Sequence, residues 1–108
     1  MNITPYLKLM VEKSGSDLFI TTDSPVKIKI EGKNTSVGKT ILTGDQTKAA
    51  AYSIMDEKKI SEFEEKMECD FAISIANKSR FRVNVFRQRG EVAMVLRLIP
   101  NKIPILSE

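Results

Sequence analysis

Apolar positions change period along the chain, and each change marks an element. After Thr4-Pro5, Leu7, Met10 and Val11 recur at helical spacing and predict a capped amphipathic helix with proline at its first position, ending at Gly15. Residues 17–22 (DLFITT) and 26–31 (VKIKIE) predict two strands joined through Ser24-Pro25, and the clean alternation of the second suggests that they pair as a hairpin. Residues 36–42 predict a short edge strand, after which Thr43-Gly44-Asp45 turns into a helix capped at Thr43 or Asp45. Two helices are predicted over 46–55 and 57–67, separated near Asp56. Ala50, Ile54, Met55, Ile60, Phe63 and Met67 are available for their inner face. Residues 69–75 alternate again, with Phe71, Ile73 and Ile75 inward.

The last segment, 79–99 (SRFRVNVFRQRGEVAMVLRLI), predicts a β-hairpin whose two strands agree on one register. With Arg89-Gly90 as a two-residue turn, Phe81 faces Leu98, Val83 faces Leu96 and Val85 faces Met94, giving a wholly apolar face for the core. The other face then sets Arg82 opposite Arg97, flanked by Arg80 and Asn84. Like charges directly opposite in an antiparallel pair are destabilising by up to about 1 kcal/mol. An anion between the guanidiniums would remove that penalty, because their fixed forks of donors match phosphate and carboxylate oxygens. The alternative is a solvated face with scattered carboxylate partners.

The order of elements is α-ββ(β)-αα-βββ, which implies an α+β domain with an antiparallel sheet of about six strands and helices packed mainly on one face. The expected domain spans residues 1–99, and residues 100–108 (PNKIPILSE begins at Pro100) read as a linker leading to something further. At 108 residues, 42% hydrophobic and 29% charged, the chain suits one soluble globular core. A net charge of +3 is too small to argue for nucleic acid. With one cysteine and no histidine there is no internal disulfide, no cysteine/histidine metal cluster and no imidazole base. The lone cysteine suggests a reducing cytoplasmic setting, and the opening residues, with Lys8, Glu12 and Lys13 within their apolar pattern, read as neither a signal peptide nor a membrane span, so a soluble protein is expected.

Gly32 to Thr40, GKNTSVGKT, nearly fits a phosphate-binding loop, but five residues separate its glycines where the motif needs four. The stretch after Lys39 is also β-branched and ends in glycine, a poor first helical turn, so a hairpin loop is the better reading. Glu64, Glu65, Glu68 and Asp70 form an acidic run that reads as a solvated face. Phe71 and Phe81 point to the core, leaving Phe86 as the one aromatic free to stack a base. Cys69 reads as a small buried hydrophobe.

Three segments in order, residues 9–21 (LMVEKSGSDLFIT), 68–74 (ECDFAIS) and 80–100 (RFRVNVFRQRG through LRLIP), make the chain resemble the N-terminal domain of type IV pilus retraction (twitching motility) ATPases of the PilT/PilU family. Phe19, where PilT-like chains usually carry histidine, and the ECDFAIS segment place it closer to PilU; Asp23-Ser24-Pro25 departs from the expected double-proline turn. The resemblance implies a PAS-like α+β domain preceding a RecA-like ATPase domain that carries the Walker motifs and catalytic glutamate. It further implies a homohexameric ring at the cytoplasmic, inner-membrane base of the pilus, working with a PilT-type ATPase and a platform protein, without membrane insertion or nucleic acid. ATP and Mg would belong to the full-length ATPase, with no cofactor or catalysis in this piece alone. Arg82 and Arg97, and after them Arg80, match the arginines that reach the nucleotide phosphates in such motors. The other reading is a free-standing PAS-like or single-stranded nucleic-acid binding module, and the least favoured is an enzyme using Lys39 on phosphate.

Overall fold

The computed structural model describes residues 3–75 and 79–99. Helix α1 (Thr4–Glu12) is followed by strands β1 (Asp17–Ile20), β2 (Val26–Ile30) and β3 (Lys33–Val37), helices α2 (Gly44–Tyr52) and α3 (Glu57–Lys66), and strands β4 (Glu68–Ile75), β5 (Ser79–Gln88) and β6 (Glu91–Ile99). The six strands form one sheet in the order β3-β2-β1-β6-β5-β4, every neighbouring pair antiparallel. Two three-stranded meanders thus meet where β1 pairs with β6, which brings Asp17 beside Arg97. The expected linker at 100–108 lies outside the described residues.

The core lies between the helices and one face of the sheet. Leu7 and Met10 of α1, Ala50 and Ala51 of α2 and Phe63 of α3 are buried with Leu18, Ile20, Ile28, Phe81, Val83, Val85, Met94 and Leu96. Each large side chain so buried contributes about 1.5–3 kcal/mol relative to leaving it in water. Close approach of α1 to β2 depends on Gly15, where a Cβ would come 2.6 Å from Ile28 Cγ2. The inward residues of β4 are Cys69, Phe71, Ile73 and Ile75, and only Cys69 is fully buried because β4 is a sheet edge.

Caps fix the helix starts. Thr43 Oγ1 accepts from the Gln46 backbone N–H at 3.2 Å while the Thr43 N–H donates to Gln46 Oε1 at 2.9 Å, a reciprocal capping box. Asp56 Oδ1 accepts from the Lys59 backbone N–H at 2.8 Å. That contact, with the Lys59 ammonium 3.1 Å from Oδ2, holds the Asp56 carboxyl below its ordinary pKa.

Four sequence expectations change. Helix α1 is capped at Ile3 with no side-chain cap bond, and Pro5 falls at its second position. The third strand is residues 33–37 and not 36–42: Glu31 and Gly32 both take positive φ, as a tight two-residue hairpin turn requires, so pairing begins at once. Met67 is not on the inner face; it ends α3 in the left-handed conformation and is 52% exposed. The second helix ends at Tyr52, ahead of Met55, although Met55 still reaches the core.

Candidate functional site

The face of the sheet away from the helices carries the more polar half of the alternation in β2, β4, β5 and β6. Strand pairing aligns Ala72, Arg82, Arg97, Asp17 and Lys29 in one row across β4, β5, β6, β1 and β2. The next row is Asp70, Asn84, Val95, Phe19 and Lys27. The expected hairpin register holds at each pair: Phe81 with Leu98, Val83 with Leu96, Val85 with Met94, and Arg82 with Arg97. Arg89 and Gly90 both take positive φ in the connecting turn.

The two opposed arginines are resolved differently. Arg97 Nε donates to Asp17 Oδ2 at 3.3 Å, and the Asp17 side chain is only 13% exposed while that of Arg97 is 71% exposed. Arg82 faces Ala72 on its other side and makes no ion pair among the described residues. The carboxylate partner that a solvated face calls for therefore exists for Arg97 and not for Arg82. An anion is not required to relieve Arg97.

Arg82 and Arg97 line one open depression of about 450 Å³ with Glu68, Asp70, Asn84 and Val95. The Asn84 amide donates to Glu68 Oε2 at 3.3 Å and Asp70 Oδ1 at 3.4 Å, which links the two carboxylates on the β4 side. Arg82 also lines a neighbouring hollow of about 280 Å³ with Asp70, Phe71, Ala72 and Ile99. The positive end of the site is thus over β5 and β6, with an acidic wall on β4. Guanidinium forks there suit a multiply charged oxyanion, and the acidic wall would repel one approaching over the sheet edge. Arg80 sits one position further along the same face, opposite Ser74 and Ile99, outside the larger depression.

Alternation along the strands identified the arginines, but Asp17, Glu68 and Asp70 were missed as their neighbours. Asp17 lies in sequence 80 residues from Arg97, and only the β1–β6 pairing brings them together. Glu68 and Asp70 were visible as an acidic run, and their spacing of two in a strand was the signal that they share a face.

Other candidates separate from this site. Residues 33–37 of the GKNTSVGKT segment are strand, and α2 begins only at Gly44, so Lys39 and Thr40 do not open a helix. Phe86 is half-buried on the open face between Glu68 and Ala93. A second polar hollow, about 300 Å³, lies at the other end of β6, lined by Arg89 together with Asp23 and Glu91. Cys69 is buried, and burial pushes its thiol pKa up. No helix among the described residues is long and apolar enough to cross a membrane.

No family model matches the chain. Over all 108 residues it is 46% identical to the type IV pilus ATPase PilU and 33% identical to the type IV pilus retraction ATPase PilT, both of Pseudomonas aeruginosa. The chain spans 28% of the first relative and 31% of the second, so it matches less than a third of either. The crystal structure of the pilus retraction motor PilT with bound ADP superimposes with a TM-score of 0.88 at 34% identity, covering 96% of this chain and 31% of that one. The Legionella pneumophila ATPase DotB shares the fold at a TM-score of 0.74 and 21% identity, covering 87% of this chain and 27% of that one. The six-stranded antiparallel sheet with three helices is thus the fold of the PilT N-terminal domain, and over its whole length the chain is homologous to the N-terminal region of the PilT/PilU twitching ATPases, nearer in identity to PilU.

Proposed function

We propose that this domain is the N-terminal assembly and nucleotide-sensing part of a hexameric, cytoplasmic ATPase that powers type IV pilus retraction at the inner-membrane base of the pilus. The observation that carries the reading is the pair Arg82 and Arg97 in one open depression on the helix-free face, with Arg82 lacking a carboxylate partner among the described residues. A desolvated guanidinium without an internal partner is costly in a closed interface, and a phosphate supplied by an apposed ATPase domain would match it.

In this reading ATP and its Mg are held by the ATPase domain, and the nucleotide supplies the anionic oxygens. This chain supplies donors. Arg82 and Arg97 would contact the phosphates, with Arg80 at the margin, and guanidinium charge aimed at oxygens that gain negative charge during transfer lowers the barrier to hydrolysis. Because the arginines stand on a rigid sheet, a change in phosphate number would be felt as a change in domain position about residues 100–108. The partners would be further copies of the same chain, a PilT-type ATPase and the platform protein.

The test is to read the natural coding frame beyond Glu108 and to delete the gene in frame. The reading expects a G-x-x-x-x-G-K-[ST] segment at a strand-to-helix junction and a loss of pilus retraction or retraction force, restored by the full-length gene. A frame that closes without such a segment, or unchanged retraction in the deletion strain and in a strain also lacking the PilT-type partner's contribution, would contradict it.

A further inference from the structure

The open face holds a second feature, the acid that occupies Arg97. Asp17 is the only carboxylate in the row Ala72, Arg82, Arg97, Asp17, Lys29, and it stands between two basic residues, yet it bonds to Arg97 and makes no ion pair with Lys29. The bond is made through Nε at 3.3 Å. An arginine carries five N–H donors in a planar fork, so a bond through Nε leaves donors on the terminal nitrogens for another acceptor. Arg97 nevertheless remains 71% exposed and lines the same depression as Arg82. Asp17 itself is largely covered and held on a short strand paired on both sides, so it is a fixed anchor for an exposed side chain.

We infer that Asp17 is a positioning residue: it tethers Arg97 by its Nε, offsets the repulsion from Arg82 directly opposite, and so lets two guanidiniums present terminal N–H groups to one phosphate-sized anion. The inference rests on the nucleotide-facing role proposed above. Two adjacent arginines without the carboxylate would repel and splay, and each would then lose orientation over the depression. Asp17 touches no phosphate in this scheme. Its effect passes through Arg97.

The test is a double-mutant cycle in the full-length ATPase with Asp17→Asn, Arg97→Ala and the pair, reading kcat and KM for ATP together with the thermal midpoint of each variant. Asp17→Asn should lower kcat/KM by about two- to five-fold, the scale of one partly covered ion pair. It should cause no further loss when Arg97 is already alanine, and Asp17→Glu should recover part of the activity. Equal losses from Asp17→Asn in both backgrounds would show that Asp17 acts through general stability and would overturn the inference. So would undiminished kcat/KM in Asp17→Asn. Failure of the underlying nucleotide role reads differently, as full activity in Arg82→Ala and Arg97→Ala alike.

Discussion

Arg82 stands directly opposite Arg97 across β5 and β6, and among the described residues only Arg97 pairs with a carboxylate, Asp17 at 3.3 Å. The arrangement leaves one unrelieved positive charge on an exposed sheet face. Its consequence for folding can be separated from its consequence for nucleotide. Arg82→Gln should leave stability unchanged or raise it by up to about 1 kcal/mol, since it removes a like-charge cross-strand pair. Denaturant unfolding at low and high salt checks this: the gain should shrink as salt screens the repulsion. A loss of stability would mean that Arg82 has a structural partner.

The β5–β6 turn offers a second prediction. Arg89 holds a φ of +54° ahead of Gly90 at +82°, a conformation in which a side chain of its kind is strained and asparagine is favoured. Arg89→Asn should stabilise the fold by about 0.5–1 kcal/mol, read as a shift of the unfolding midpoint without a change in denaturant slope. The same change should not alter the depression, which lies towards the opposite end of the hairpin.

Cys69 supplies a pH-dependent prediction. It is 3% exposed, and burial, reinforced by Glu62, raises its thiol pKa above the ordinary 9.0. The folded state therefore holds its proton to higher pH than the unfolded state does. Its contribution to stability is complete below the unfolded pKa and is lost as pH rises from there through the folded value. Thiol labelling at neutral pH should be slow in the native protein and fast in denaturant, and Cys69→Ala should remove this part of the alkaline fall in stability. Rapid native labelling would contradict the burial.

How far the fold could be read from the sequence depended on how many constraints each segment carried. The 79–99 hairpin was legible to the residue because two apolar alternations and one Arg-Gly turn all demanded the same register. Strand β3 was misplaced because KNTSV is polar on both faces and shows no alternation, its position being set by the Glu31-Gly32 turn. Met67 matched the helical period of α3 and still left the core, because the chain reverses there in a left-handed cap before β4. The arginines of the site followed from local pattern. The Asp17 tether did not, because it arises from pairing between the first strand and the last, and the acidic wall of Glu68 and Asp70 took on meaning only once β4 was placed beside Asn84.

The measurement that bears most directly on the central claim is ATP turnover by the full-length protein with Arg82→Ala, compared with wild type at saturating nucleotide and with the oligomeric state monitored in parallel. Loss of a donor aimed at a charge that develops in the transition state should lower kcat by about 10²-fold, with the assembly intact and Arg82→Lys restoring only part of the rate. An unchanged kcat in the assembled Arg82→Ala protein would contradict the account and return the open face to an ordinary solvated surface.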